Sequence, residues 1–387
     1  MPSRTKYGSD NLKVRIMKLT FNRETLLAAF QTVATVAPSR SPKPILQCVK
    51  ISASADQVVL MATDTEIGIR LSVDDIDVEA PGSAVLPVSE FGNILRESTD
   101  EKLSVAVSES SVDITGESSL FNMAFQNPDE YPDVNGSESE SFLKLPAKLL
   151  KELIRRTLYA TDNESSRYAL GGVLLEMNSS NLVAVGTDGR RLAKMEGPVE
   201  VVGTVDLGAS NTIVPSKSMG LIDRALGNPE EEVTVSLSDG HLLVRTSTAM
   251  ITTGLVEGRF PKWKEVFPNF ADPSEINLTV GPVYSKLRQA SIMTSDESRG
   301  IDFSFNSGTL KMHGLTAQKG EAKTELPVAY DGDPLTISMD HRYVADFLKT
   351  LDNESAFTIS VQGNESAVLF TTEDGYNYIV MPLARDR

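Results

Sequence analysis

The Thr63-Asp64 pair of ATDTEIGIRL returns 124 positions later as Thr187-Asp188 in GTDGRRLAKM, each time directly after an alternating apolar run, QVVLMA and NLVAVG. A chain that repeats itself at such a period is built from tandem copies of one unit, and each copy must fold the same way. VLPVSEFGNILRES (85–98) is echoed by TIVPSKSMGLIDRAL (212–226), with Pro87/Pro215, Gly92/Gly220 and Arg96/Arg224 all 128 apart. LTISMDHRYVADFLKTL (335–351) is a fainter third copy. An aromatic or Met before proline closes each unit: Tyr131-Pro132, Phe260-Pro261 and Met381-Pro382, the prolines 129 and 121 apart.

The unit beginnings match as well. LTFNRETLLAAFQTVATVA, LKLPAKLLKELIRRTLYAT and LTVGPVYSKLRQASIMT each join a short strand to an amphipathic helix with apolar i, i+3, i+4 spacing. Asn22 and Pro146 stand where an N-cap and a first-turn proline belong. GGVLLEM, TVSLSDGHLLVRT, IDFSFNSGTLKMHG and AFTISVQGNESAVLFTT read as antiparallel hairpins bounded by Gly, Asn and Asp turns. The expected fold is α+β: three tandem domains, each with two helices and about eight strands. Linker-like NGSESES (135–141) and NFADPSE (269–275) put the boundaries at 17–138, 139–271 and 272–387, after a disordered extension at 1–16. With 387 residues and 40% hydrophobic content there is ample core for this number of domains.

The formal net charge is -16, which by itself argues against nucleic acid. Sorting charge by element reverses that reading. The six expected helices (22–35, 88–98, 146–161, 215–227, 281–294, 340–351) hold twelve Lys/Arg against seven acids, a net of +5 in an otherwise acidic chain. Solvated helix faces explain any one helix. Six together describe a basic stripe able to neutralise phosphates.

Catalytic signatures are missing. The three histidines, His241, His313 and His341, have no metal-ligand spacing, and the phosphate-loop, dinucleotide and hydrolase-elbow motifs do not occur. The acidic Asp74-Asp75-x-Asp77 run reads as a loop or strand edge. A hydrolase built on Asp188 lacks a nearby His or Lys base. The single Cys48 reads as core, and no apolar run approaches a membrane helix or secretory signal, so the expected place is the cytoplasm, with no membrane partner and no cofactor.

Three repeats, basic helices in an acidic chain, TDGRRLA, EGRFPKWKEVFP and the final YIVMPL together resemble the bacterial DNA polymerase III beta subunit family, the replicative sliding clamps, from Met17 to Leu383. Each motif alone is weak, and their order and spacing carry the likeness. The resemblance implies a homodimer: two chains closed head to tail into a six-domain ring, helices lining the hole, around double-stranded DNA. It implies no catalysis. It also implies a pocket for short peptides of the replicative polymerase catalytic subunit, the clamp loader and other clamp-binding proteins.

The positions that match this pocket are Leu170; Thr187, Gly189, Arg190, Arg191 and Leu192; Pro261 and Val266; and Ile379, Met381, Pro382 and Leu383. For DNA, Arg40, Tyr168 and Lys217 match the family, while Lys148, Lys151, Arg155 and Arg224 rest on charge alone. For the joint between chains, Phe121 and Met123 match residues that meet Ile292 and Met293. The bland alternatives are ordinary core for the apolar residues and a solvated hairpin for the two arginines. A monomeric peptide-binding scaffold that does not encircle DNA is the competing function. The chain departs from the family at residues 1–16, at Glu265 (often basic), at Ala169 (expected aromatic) and in its ARDR tail.

Overall fold

A strand running straight into a helix begins every repeat; the first two repeats then share one order of elements, and the third follows it with one strand fewer between its helices. The computed structural model describes residues 15–136, 139–162, 168–178, 180–205, 207, 212–238 and 240–384. Most of the expected extension, residues 1–14, and the Arg385–Arg387 tail lie outside the described residues.

The first repeat comprises β1 (Arg15–Asn22), α1 (Arg23–Ala34), β2 (Cys48–Ala53), β3 (Val58–Thr63), β4 (Ile67–Val73) and β5 (Ile76–Ala80). It continues through β6 (Gly82–Pro87), α2 (Val88–Glu97), β7 (Lys102–Ser108), β8 (Ser111–Thr115) and β9 (Leu120–Ala124). The second has β10 (Phe142–Pro146), α3 (Ala147–Arg155), β11 (Gly172–Asn178), β12 (Asn181–Thr187), β13 (Arg191–Pro198) and β14 (Glu200–Val202). Its remainder is β15 (Ile213–Pro215), α4 (Ser216–Ala225), β16 (Glu232–Ser238), β17 (His241–Arg245) and β18 (Ala249–Gly254). The third has β19 (Ser274–Thr279), α5 (Val280–Ala290), β20 (Gly300–Asn306), β21 (Thr309–Thr316) and β22 (Gly320–Pro327). It ends with β23 (Leu335–Asp340), α6 (His341–Lys349), β24 (Ala356–Val361), β25 (Val368–Thr371) and β26 (Asn377–Val380).

The chain divides into two compact units, residues up to 138 with 243–253, and 139–242 with 254 onward. In the first, one sheet runs β5-β1-β7-β8-β9, and β18 joins β4 in the order β18-β4-β3-β2-β6. The second unit contains β14-β10-β16, the eight-stranded β15-β11-β12-β13-β26-β25-β24-β19, and the four-stranded β22-β21-β20-β23. In each repeat the two helices pack on each other, α1 with α2, α3 with α4 and α5 with α6, and bury their apolar stripes.

Capping is legible at the residue level. The Asn22 side chain accepts from the amides of Glu24 and Thr25 at 3.0 and 3.2 Å, and Asp340 accepts from Arg342 N at 2.9 Å. Pro146 is the N-cap of α3 and not a residue of its first turn, as Pro87 and Pro215 are for α2 and α4. The helices expected to reach 161 and 294 stop at Arg155 and Ala290, and each is followed by a 3-10 turn, Leu158–Ala160 and Ser291–Met293. At the first, Thr157 Oγ1 donates back to Leu153 O at 2.6 Å, a bond that competes with helix propagation.

The repeated Thr-Asp is one turn built twice. Asp188 Oδ1 accepts from Arg190 N and Arg191 N at 2.9 and 3.0 Å, and Thr187 Oγ1 donates to Arg191 O at 2.6 Å. Asp64 Oδ1 accepts from Glu66 N and Ile67 N at 3.1 and 2.8 Å, and Thr63 Oγ1 donates to Ile67 O at 2.8 Å. Both turns need a left-handed residue third, supplied by Gly189 (φ 87°) and by Thr65 (φ 82°). Gly189→Ala is therefore expected to cost about 1 kcal/mol, read as a lowered Tm, while Thr65→Gly leaves stability unchanged or raises it. Equal losses from both changes would contradict the shared geometry.

Candidate functional site

Strand β13 leaves the second Thr-Asp turn and pairs directly with β26, the last strand of the chain: Arg191↔Val380, Leu192↔Ile379, Ala193↔Tyr378 and Lys194↔Asn377. On one face of that junction Leu192 and Ile379 join Leu174, Val183, Val185, Ile213, Phe260 and Trp263 in a single apolar cluster. The segment carrying Phe260, Pro261 and the 3-10 turn Trp263–Val266 covers it. Beyond β26 the chain stays attached, with Met381 N donating to Arg190 O at 3.0 Å and Leu383 N to Ser338 O at 2.8 Å.

The expected pocket residues fall into two sets. Leu170, Thr187, Leu192 and Ile379 are buried. Val266, Met381 and Leu383 are 44%, 45% and 41% exposed, large apolar side chains left in solvent. Pro261, Gly189 and Arg190 are exposed, and Pro382 is half-buried. In the first two repeats the pre-proline residue, Tyr131 or Phe260, is buried; in the third, Met381 is out. Sequence reasoning left Phe260 and Trp263 out of the site although both lie in EGRFPKWKEVFP, and it missed Val183 and Val185, whose only signal was ordinary strand alternation.

Arg191 is not a rim residue. Its guanidinium donates to Asp188 Oδ2 at 3.0 Å, Asp346 Oδ2 at 2.7 Å and the Tyr159 carbonyl at 2.8 Å, and lies 4.5 Å from the centre of the Tyr343 ring. The Tyr159 ring lies tilted against that of Tyr378, centroids 5.7 Å apart at 51°, and its hydroxyl meets that of Tyr376 at 2.6 Å. Burial pushes the phenols of Tyr159, Tyr376 and Tyr378 above their usual range, keeping them neutral. Arg156 pairs with Asp374 at 2.5 Å. These bonds fasten the second repeat to the third, and Arg191 does so while holding the backbone that carries Arg190 and Leu192.

The basic helix residues are less uniform than their count. Lys148, Arg155, Lys217 and Arg224 are exposed on α3 and α4, with Arg155 Nε 3.1 Å from Asp223 Oδ1. Lys151 is turned to the end of α4, donating to Leu226 O at 3.0 Å, because the last carbonyls of a helix need donors. Arg342 is held by Asp340, and Arg23 donates to Leu95 O at 3.0 Å. Helices α1 and α2 carry two bases against three acids; the excess lies on α3 to α6, nine against three. The six-helix bias expected from sequence is a four-helix bias. Arg40 is exposed after α1. Tyr168 opens the 3-10 turn Tyr168–Leu170, and its side chain lies outside the described residues.

Phe121 on β9 and Ile292 after α5 are exposed, and Met123 and Met293 are partly so. None of the four is core within this chain. Among the described residues no His/Cys/Asp/Glu group has metal-binding geometry.

Removing Arg191 while leaving Asp346 half-buried should cost about 3 kcal/mol in Arg191→Ala, seen as a loss in thermal or urea unfolding. Arg190→Ala should stay within about 0.5 kcal/mol of the parent. Additivity of Arg191→Ala with Asp346→Ala would refute the fastening role.

Profiles of one protein family match the chain in three consecutive blocks. The N-terminal, central and C-terminal domains of the DNA polymerase III beta subunit cover residues 17–135, 144–262 and 264–384. The beta sliding clamp of Pseudomonas putida is 30% identical over 375 residues, covering 95% of this chain and 100% of that one. That of Chlamydia muridarum is 27% identical over 368 residues, covering 95% and 99%. Among solved structures, the Pseudomonas aeruginosa sliding clamp bound to griselimycin superposes with a TM-score of 0.83 at 27% identity, covering 95% of this chain and 100% of that chain. The Bartonella birtlesii clamp, at 24% identity and the same coverage, gives 0.85 and speaks for the fold alone. With three successive domain matches over nearly its whole length, the chain belongs to the DNA polymerase III beta subunit family, the bacterial sliding clamps.

Proposed function

We propose that two copies of this chain close head to tail around duplex DNA, and that the groove at the β13–β26 junction holds a short peptide of the replicative polymerase. As a sliding clamp it tethers the polymerase to its template and performs no catalysis itself. Its working domains are 17–138, 139–271 and 272–387. Ring opening is left to an ATP-driven clamp loader, and other clamp-binding proteins take the same groove. The site of action is the cytoplasm.

The observation that carries ring closure is a pair of sheet edges left over by the repeat. The strand after each Thr-Asp turn finds a partner in the last strand of a following repeat: β4 takes β18, and β13 takes β26. Strand β22 is the third of this series and ends its sheet, and β9 ends the first sheet. Large apolar side chains crowd both places, Leu120 and Phe121 on β9, Ile292 and Leu315 beside β22. An open apolar edge is an association site.

The joint inside the chain supplies the register. Gly186 and Gly314 are equivalent, since a Cβ on either would strike a carbonyl at the end of its repeat's first helix segment, Thr157 O at 2.2 Å or Ala290 O at 2.6 Å. Their cross-strand partners are Ala193 and Ala322. Starting three residues before the N-cap of α1 and following register across the sheet leads from Leu19 through Val105 and Ile114 to Phe121. The same path from α5 leads from Ile276 through Ile359 and Phe370 to Tyr378. Ala193 pairs with Tyr378. Ala322 of one copy therefore faces Phe121 of the other, with Asn122 opposite Glu321, and Ile292 takes the place that Tyr159 holds over Tyr378. Exposed Lys148, Arg155, Lys217 and Arg224 face the DNA backbone, aided by Arg40 and Tyr168, and Lys151 buttresses them. Phosphate attraction without base contacts leaves the ring free to slide.

With Cys48 replaced by Ser, Asn122→Cys and Glu321→Cys should cross-link two chains on oxidation, and a better yield from Asn122→Cys with Lys323→Cys would overturn the register. Phe121→Asp or Ile292→Asp should sediment as monomer; a wild-type monomer at micromolar concentration would instead favour the scaffold that does not encircle DNA. A Lys148, Lys217 and Arg224 triple alanine variant should hold circular DNA less well at every sequence, its salt slope shallower by about one for each phosphate no longer neutralised. Met381→Ala with Pro382→Ala should weaken binding of a polymerase-derived peptide about tenfold or more, and unchanged affinity would sink the groove assignment.

A further inference from the structure

A second cavity, about 330 Å³ in volume, opens on the sheet face that carries the groove. Strands β11, β12, β13 and β26 floor it through Glu176, Val183, Lys194, Glu196 and Asn377, and Trp263 and Phe267 wall it. Leu192 and Ile379, the floor of the groove, are cross-strand partners, and Lys194 and Asn377 are the next pair along on the same face. At about 3.4 Å per residue the two places are roughly 7 Å apart, two or three residues of extended peptide. The cavity continues the groove on the far side of Trp263.

Its charges are not all satisfied. Glu176 accepts from Trp263 Nε1 at 3.1 Å and from Lys264 Nζ. Lys194 Nζ lies 2.7 Å from Glu196 Oε1. Glu196 Oε2 is buried and has no hydrogen-bond partner among the described residues. Both lysines are engaged, whereas Glu196, whose side chain is 25% exposed, keeps one oxygen without a donor, and a turn of its carboxylate brings that oxygen to a ligand that supplies one. Val183, Trp263 and Phe267 suit the methylene stem of such a ligand.

We infer that the cavity receives a Lys or Arg side chain of the peptide bound in the groove, two or three residues from its nearest apolar anchor. This rests on the groove reading of the proposed function. It makes Glu196 a specificity residue that selects among partners by a basic flank.

The chain has a single tryptophan, so the emission of Trp263 reports the cavity directly. The test titrates full-length protein with the labelled polymerase-derived peptide and with versions carrying Arg or Gln two or three residues beyond the anchors at either end. The Arg version at one end should bind about tenfold tighter than its Gln counterpart, the scale of one charge-assisted hydrogen bond, with a gain that shrinks in salt. It alone should shift the Trp263 emission. Glu196→Gln should abolish the gain while binding the parent peptide normally, and Asn377→Lys, which fills the cavity with positive charge, should do the same. Equal affinity of Arg and Gln versions, or a full gain in both variants, overturns the inference. Failure of the parent peptide to bind wild type removes the groove and this cavity's role together; parent binding without an Arg gain removes only the latter.

Discussion

The pairing of β13 with β26 is the interaction on which the rest depends. It converts two sheets from different repeats into one of eight strands, removes two edges from solvent, and brings Leu192 beside Ile379. The apolar cluster at the junction depends on that register, because a slip of one residue in either strand would turn its Leu192 or Ile379 to the opposite face. The other face is secured at the same time. Tyr378 lies against Phe347 at 5.4 Å and Tyr159 at 5.7 Å, and Arg191 reaches from the turn to Asp346.

A clamp has to combine a rigid frame with weak attachment to its track, and this chain divides those tasks by element. Strands supply the frame through backbone bonds and buried apolar faces. Helices α3 to α6 carry the basic excess, and the remainder of the chain is acidic enough to keep DNA from sticking elsewhere. Some bases have structural duties instead: Lys151 and Arg23 satisfy carbonyls at the ends of α4 and α2, and Arg156 and Arg191 bridge repeats. Lys148, Arg155, Lys217 and Arg224 are left exposed on α3 and α4.

Much of the fold could be read from the sequence because its signals are local. Alternation and i, i+3, i+4 spacing located strands and helices, Asn22 capped as its side chain requires, and the recurrence of Thr-Asp marked one turn twice. Helix ends after Arg155 and Ala290 were missed because strands approach closely there, at Gly186 and Gly314, and at the first Thr157 bonds back to Leu153 O. Leu170, Leu192 and Ile379 were candidates for direct peptide contact and are buried, whereas Val266, Met381 and Leu383 are exposed. Apolar side chains of equal character cannot be told apart in sequence, since burial depends on what lies above them.

GTDGRRLAKM shows the division most plainly. The recurrence of Thr-Asp by itself marked one local turn used twice, because the bonds that Asp188 and Thr187 make span only two to four residues. The sequence also determined the threefold repetition, and with it the clamp family. Only the tertiary structure decided that Arg190 faces solvent and Arg191 faces inward, because Asp346, Tyr343 and the Tyr159 carbonyl arrive from segments more than thirty residues away in the chain. Neighbours of identical chemistry acquire different work when a distant strand pairs beside them.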